Sequence, residues 1–309
     1  MSSRRSFIRK VGLGGFLLGL GGIPVKASEK KGMQKITILH TNDMHSHIDP
    51  FPKSDPKYGG LGGFARLNNL VRKIRKEEEQ VLLFDAGDVF QGTPYFNFYK
   101  GEAEYRLMTQ MGYDAGTIGN HEFDNGLEGI LAQLPNAGFP LINANYDFSE
   151  TILAGKIEPY RIFDKGGVKI GVFGVGVGLE GLVDTKNYGK TIYKDPIKVA
   201  NDVAVELREK HGCELVICLS HLGYKHSDGS VCDVELAGKS KGIDLIVGGH
   251  SHTMLETADR VRDLDGREVL VNQVGWAGIA LGRIDFYVDS ESSTRLASSS
   301  IYSVNNDLV

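Results

Sequence analysis

The sequence predicts an α/β fold in which a largely parallel sheet is covered by helices, and three observations carry that expectation. Short apolar runs recur, each followed at once by a polar cluster: "KITILH" by "TNDMHSH", "QVLLF" by "DAGD", "DAGTI" by "GNHEFD", "ELVICLS" by "HLGY" and "IDLIV" by "GGHSHT". Segments of helical periodicity lie between them. The third observation is composition: 41% of the 309 residues are hydrophobic, enough for one large core or two modest ones, which excludes a disordered or fibrous chain. Strand and helix in alternation build parallel sheets, and ligands of such sheets bind beyond the carboxyl ends of the strands. All five polar clusters are expected on that one edge.

Taken in order, the first 27 residues stand apart. "SSRRSFIRK" is cationic, "VGLGGFLLGLGGI" is apolar and glycine-rich, and "PVKA" leads to the charged "SEKK". This is the layout of a signal peptide over 1–27, cleaved near Ala27, followed by a short linker over 28–34. The apolar run from Val11 to Ile23 is shorter than the roughly 20 residues of a membrane-spanning helix, so no permanent membrane anchor is expected. Arg4 and Arg5, with Phe7, Ile8 and Arg9 after them, resemble the twin-arginine export signal, which implies a periplasmic or extracellular protein that folds before crossing the membrane. Cleavage removes five basic residues and no acid, taking the formal charge from -4 to -9. An acidic mature chain argues against a polynucleotide partner, whose phosphates need clustered Lys and Arg. Cys213, Cys218 and Cys232 have no metal-ribbon spacing and read as buried small hydrophobes, with a disulfide between two of them left open.

The next elements follow from periodicity. A strand over "KITILH" leads to the helix "FARLNNLVRKIRKEEE", where Phe64, Leu67, Leu70, Val71 and Ile74 recur at three- and four-residue steps. Strands at "QVLLF" and "DAGTI" follow. After them come "VKIGVFGV", a helix over "IKVANDVAVELREKHG" stopped at Gly212, strands at "ELVICLS" and "IDLIV", and "ALGRIDFYV". The runs "VKIGVFGV" and "ALGRIDFYV" extend the structure to two packed sheets. With no internal repeat and no clear linker, residues 35–290 read as a single domain and 291–309 as a C-terminal tail.

The strand ends collect metal-binding residue types. Asp43 and His45 form Asp-x-His, Asp88 follows Gly87, Asn120 and His121 follow Gly119, His221 ends a strand, and His250 and His252 form His-x-His. In extended backbone an x spacing returns two side chains to one side, so each pair is expected to face a single point. Leaving His121 aside, these N and O donors exceed what one four-coordinate zinc takes and suit two ions sharing a carboxylate. The absence of thiolate favours Mn, Fe, Co, Zn or Mg.

Through "ILHTNDMHSH", "GDVFQGTPYF", "GNHEFDNG", "LSHLG" and "GGHSHT" the chain resembles the calcineurin-like metallophosphoesterases, and within them the catalytic domain of the bacterial 5'-nucleotidase family, over about residues 35 to 290. The resemblance implies a two-sheet sandwich with helices on its outer faces, in α-β-β-α layers. It implies two divalent metal ions, one on Asp43, His45 and His252 and one on Asn120, His221 and His250, with Asp88 bridging. It further implies hydrolysis of phosphate monoesters, nucleoside 5'-monophosphates or related nucleotides, by attack of a metal-bound hydroxide. Asn120 would be a ligand that adds no negative charge and would also face the substrate phosphate. His121 would act on that phosphate as catalytic residue, with Asp124 orienting its ring. Glu122 has no role in the pattern and reads as loop structure. Alternatives are a non-catalytic, metal-stabilised binding subunit, or a related hydrolase of cyclic nucleotides, nucleotide sugars or sulfur-linked substrates. Complete members carry a second, C-terminal domain that holds the base and ribose, and the chain ends at Val309 where that domain would begin. The reading therefore expects a separate chain carrying a nucleotide-binding domain as partner, docked near residues 90–99.

Among the other residues, His40 reads as a core histidine, His211 as solvated, and His47 and His226 as supporting or rim residues of the site, with simple exposure as the alternative. The cluster Phe90, Tyr95, Phe96, Phe98 and Tyr99 reads as core packing at a helix start, with a substrate mouth as the alternative.

Overall fold

The computed structural model describes residues 33–289 and 294–308. The expected signal peptide, and the linker as far as Gly32, lie outside the described residues. The strands are β1 (Gln34–Thr41), β2 (Val81–Asp85), β3 (Ala115–Gly116), β4 (Tyr146–Asp147), β5 (Tyr160–Lys165), β6 (Val168–Gly176), β7 (Ile192–Tyr193), β8 (Leu215–His221), β9 (Leu245–Gly248), β10 (Asp259–Arg262), β11 (Glu268–Asn272), β12 (Ala280–Asp289) and β13 (Thr294–Ser303). They form a five-stranded sheet in the order β13-β12-β1-β2-β3, a six-stranded sheet in the order β10-β11-β9-β8-β6-β5, and a small β4-β7 pair. The central strands are parallel in both large sheets, β1 to β2 to β3 in one and β6 to β8 to β9 to β11 in the other.

Side-chain alternation explains the layers. Ile36 and Ile38 of β1, Leu82 and Phe84 of β2, and Leu215, Ile217 and Leu219 of β8 meet between the two sheets in one apolar cluster. Their neighbours one residue on point the other way. Leu39 and Leu83 pack outward with Phe64, Leu67, Val71 and Ile74 of the helix Phe64–Glu77. Val216 and Cys218 pack outward against Ala200, Ala204 and Leu207 of the helix Pro196–Glu209 and Leu236 of the helix Asp233–Lys239. A strand buried on both faces reads as a continuous apolar run, which is why these segments lack polar alternation. The five apolar positions read from the first helix are all buried, each worth about 1.5–3 kcal/mol relative to exposure. The second helix starts at Asp195, whose carboxylate accepts from the N–H groups of Ile197 (2.8 Å) and Lys198 (3.1 Å).

Four details depart from the sequence reading. The five polar clusters do not share one sheet edge: β1, β2 and β3 belong to the first sheet and β8 and β9 to the second. They still converge, because the sheets are stacked and their carboxyl ends open on the same end of the sandwich. The strand read over "DAGTI" shrinks to Ala115–Gly116, although Thr117 N–H still donates to Asp85 O at 3.0 Å and its hydroxyl to Ile142 O at 2.9 Å. Residues set apart as a tail supply β13, which pairs antiparallel with β12 over its whole length. His211 is half-buried and bonded to the Tyr160 hydroxyl at 3.0 Å rather than solvated.

The remaining structural residues fall as read. His40 is fully buried and bonded to Asn272 Oδ1 at 2.8 Å, and burial pushes its pKa down to about 4 despite that bond. The three cysteines are buried free thiols. The aromatic cluster divides: Phe90 and Phe96 are buried in the core, whereas Tyr95, Phe98 and Tyr99 line an open cleft of about 570 Å³ with His47 and Phe51. No helix among the described residues is long and apolar enough to cross a membrane.

Candidate metal centre

The loops that leave the strand ends adopt a conformation that their sequence disguises. Asp43, His45, Asp88, His250 and His252 all have positive φ, between 45° and 69°, so the side chains are not presented by extended backbone as the x spacings suggested. Left-handed backbone is costly for non-glycine residues, about 1–3 kcal/mol each, and persists only where the surroundings over-determine it. Here the loops brace one another. Asp43 N–H donates to Gly87 O (2.9 Å), His45 N–H to Asp88 O (3.0 Å), and Ala277 N–H to Asp43 O (2.7 Å). His250 N–H donates to both Asp43 carboxylate oxygens at 3.0 Å. Gly249 allows this convergence: a Cβ there would lie 2.8 Å from Ala86 O and 2.9 Å from His221 Nδ1.

Two groups of donors result. Asp43, His45 and His252 form one, and Asp88, His221 and His250 the other, each with its ligand atoms within 4.8 Å of one another. The His-x-His pair is therefore split, one histidine to each group. Asp88 lies between the groups, its Oδ2 3.0 Å from His221 Nε2 and 3.9 Å from His45 Nε2. Asn120 Oδ1 joins the second group, 2.9 Å from His250 Nδ1.

These donors fit cations better than they fit one another. His45 Nδ1 and His221 Nδ1 each face a backbone carbonyl, Phe90 O at 3.1 Å and Ala86 O at 2.7 Å. A carbonyl only accepts, so each ring carries a hydrogen on Nδ1 and turns its Nε2 inward, where it can take a proton or a cation. His221 Nε2 is fully buried and has no aligned hydrogen-bond partner, although Asp88 Oδ2 is 3.0 Å away. His45 Nε2 and His252 Nε2 likewise stand 3.0 Å apart. Ring nitrogens and carboxylate oxygens this close call for positive charge among them, supplied by protons or by a cation. The same crowding shifts the titrations: burial would depress His221, but the Asp88 carboxylate pushes it up to about 10. Burial, together with the charge of His221, takes His250 down to about 4.

His121 lies beside both groups and belongs to neither. Its Nδ1 meets Asp124 Oδ2 at 2.9 Å, a pairing set by the 3₁₀ turn His121–Asn125, where residues three apart eclipse. Burial opposes charge on this ring, but the Asp124 bond and the Asp88 and Glu122 carboxylates outweigh it and raise its pKa. A pocket of about 260 Å³ opens over Asp88, Asn120, His121, His250 and His252, with Gln91, Leu182 and Trp276 at its walls. Every residue singled out for the site in the sequence is thus in this one region.

Sequence reasoning missed two residues. Glu122, read as loop structure, is fully buried, and its carboxylate accepts from Gly119 N (2.6 Å), Asp88 N (3.0 Å), Val89 N (2.8 Å) and Phe90 N (3.4 Å). It thereby ties the loop after β2 to the loop after β3. Trp276 stacks on His252, with ring centroids 5.4 Å apart and planes at 3°. Being the chain's single tryptophan, directly after a β-rich run, it was the only signal available. Of the rim histidines, His47 stacks on Phe51 at 4.6 Å, and His226 bonds Leu222 O at 2.6 Å with its ring 6.1 Å from that of His250.

Comparison with known proteins agrees with this geometry. The snake venom 5'-nucleotidase of Crotalus adamanteus is 34% identical over 298 residues, covering 90% of this chain and 49% of that protein. The trifunctional nucleotide phosphoesterase protein YfkN of Bacillus subtilis is 34% identical over 295 residues, 85% of this chain and 19% of its own length. The crystal structure of a 5'-nucleotidase precursor from Thermus thermophilus superposes with a TM-score of 0.80 at 32% identity, covering 89% of this chain and 56% of that one. The chain spans about half the length of the venom relative. A family model described as calcineurin-like phosphoesterase matches residues 36–254, a span that holds both donor groups and His121, and the chain belongs to that family.

Proposed function

We propose that this chain is an exported, dinuclear-metal phosphoesterase that hydrolyses phosphate monoesters, with nucleoside 5'-monophosphates or related nucleotides as substrates. The observation that carries the reading is Asp88, whose carboxylate stands between the group of Asp43, His45 and His252 and the histidines His221 and His250, in a largely buried cluster of oxygen and nitrogen donors. Oxygen and nitrogen ligands without thiolate suit Mn, Zn, Fe, Co or Mg. When bound, such ions supply Lewis acidity toward phosphoryl oxygens and acidify water.

The chain's own residues do the rest. Asn120 brings a carbonyl oxygen to the second group without adding charge that would repel a phosphate. His121, whose protonated form Asp124 and the nearby carboxylates favour, faces the pocket as a donor to the phosphoryl oxygens or to the departing alkoxide. Asp124 fixes the ring so that no reorientation is needed during the reaction. Glu122 and the interlocked loops hold Asp88 and Gly119 in place. The pocket is smaller than the roughly 300–1,000 Å³ of sites that enclose a whole drug-sized ligand, which suits a grip on the phosphoryl part of the substrate. The nucleotide preference rests on the names of the relatives, and export on Arg4, Arg5 and the apolar run after them.

Exhaustive chelation followed by reconstitution tests the chemistry. Turnover of an aryl phosphate should vanish on chelation and return with Mn or Zn. An equal rate from rigorously metal-free protein would contradict the proposal. The substrate class is tested by comparing kcat/KM for a nucleoside monophosphate with that for the aryl phosphate.

A further inference from the structure

The histidines of the first donor group are not held alike. His45 is buried, and its Nδ1 is bonded to Phe90 O at 3.1 Å. His252 has a side chain 38% exposed, directs its Nε2 at Asp43 Oδ1 (3.3 Å) and His45 Nε2 (3.0 Å), and forms no hydrogen bond from Nδ1 among the described residues. Its backbone has φ 49°, so the main chain alone does not make it a stable mount. What fixes its plane is Trp276, lying parallel within 3° at 5.4 Å, an offset stack.

Trp276 is itself firmly seated. Its ring meets His47 at 5.1 Å, Phe51 at 5.8 Å and Tyr58 at 5.9 Å, all steeply inclined. Both flanking residues are bolted to the donor loops. Gly275 N–H donates to Thr253 O at 2.9 Å, Gly275 O accepts from Asn42 Nδ2 at 2.6 Å, and Ala277 N–H donates to Asp43 O at 2.7 Å. The indole is thus a rigid plate whose position is tied to Asp43 on one side and to the His252 loop on the other.

We propose that Trp276 is the positioning residue for His252, and through it sets the divalent-ion affinity of the Asp43, His45 and His252 group independently of the Asp88, His221 and His250 group. The inference rests on the dinuclear reading above. Stacking here takes the place of the carbonyl hydrogen bonds that orient His45 and His221. Groups that orient a metal ligand typically account for about 10–100-fold in metal affinity.

Cobalt(II) titration of the chelated full chain, followed by Co(II) absorbance, is the test, with circular dichroism checking the fold. The native protein should take two ions in two steps, and His252→Ala identifies the step that belongs to the first group. Trp276→Ala and Trp276→Leu, the latter keeping apolar bulk without a ring, should weaken that step by about 10–100-fold and leave the other unchanged. Trp276→Phe should restore it. The Trp276→Ala/His252→Ala double variant should be no weaker than His252→Ala alone, because the two act through one contact. Trp276 is the sole tryptophan, so its emission should be quenched by Co(II) at the first-group step. Equal weakening of both steps, or no change in either, would overturn the inference while leaving two-ion binding intact. A native protein that takes only one Co(II) would overturn the dinuclear reading as well.

Discussion

Glu122→Gln is the most searching change of a residue outside the donor set. Oε2 accepts from Gly119 N (2.6 Å) and Asp88 N (3.0 Å), and Oε1 from Val89 N (2.8 Å) and Phe90 N (3.4 Å), with the residue wholly buried. Glutamine keeps the shape but turns an NH₂ toward one of these pairs, so two buried N–H groups lose their acceptor. At about 1–3 kcal/mol for each such group the loss is about 2–6 kcal/mol. The side chain will keep its oxygen on Gly119 and Asp88 and sacrifice the pair with the long Phe90 bond, so the lower half of the range, about 2–4 kcal/mol, is expected. That is a large part of the roughly 5–15 kcal/mol of a typical domain. Urea unfolding of chelated protein measures it. The pH should be near 8, because burial and the Asp88 charge push the Glu122 carboxyl up to about 7. Metal content of the folded variant should fall less than stability does, since Asp88 N–H keeps its acceptor and only the Val89 and Phe90 N–H groups behind it lose theirs. A stability change within about 0.5 kcal/mol, the scatter of ordinary surface substitutions, would refute the role given to Glu122.

Three further outcomes follow from particular residues. His121→Asn should lower turnover by roughly 10² to 10⁴ with metal content unchanged, and Asp124→Asn should do less, measured by kinetics alongside metal analysis; loss of an ion in the His121 variant would move that residue into the ligand set. His40 is neutral when folded because its pKa is about 4 against an ordinary 6.5, so its contribution is fully present above pH 6.5 and is lost as pH falls toward 4. The slope is up to about 1.4 kcal/mol per pH unit and the total about 3 kcal/mol; comparing urea midpoints of chelated protein at pH 7 and pH 4.5 should show that His40→Gln removes this component. Changing Arg4 and Arg5 together to Lys should hold the precursor in the cytoplasm, and normal processing of that double variant would point to a general export route.

Much of this site was legible because its chemistry is written in residue types that cores exclude. An Asp, an Asn or a His within a few residues of the end of an apolar run has little packing role, and Asp43, Asp88, Asn120, His221 and His250 announce themselves in that way. The layers were legible for the same reason, since Ile36, Ile38, Leu82 and Phe84 show where two faces must be covered. Strand partnership was not legible: nothing local in "ELVICLS" says that it joins β6 and β9 rather than β1, because pairing is decided by residues far away in sequence. Positive φ at Asp43, His45 and His252 was hidden too. It is imposed by hydrogen bonds such as Ala277 N to Asp43 O, across more than two hundred residues. Glu122 and Trp276 were missed because their roles consist wholly of tertiary contacts, whereas the resemblance assigns roles only to residues that meet metal or substrate.

The central claim is that two donor groups share Asp88 and that His121 stands outside both. Anomalous diffraction from crystals of the full chain equilibrated with Mn(II) tests it most directly. The account predicts two peaks about 3.5–4 Å apart, one bounded by Asp43, His45 and His252, the other by Asn120, His221 and His250, with Asp88 reaching both and His121 reaching neither. A single peak, or a peak with His121 among its ligands, would contradict it.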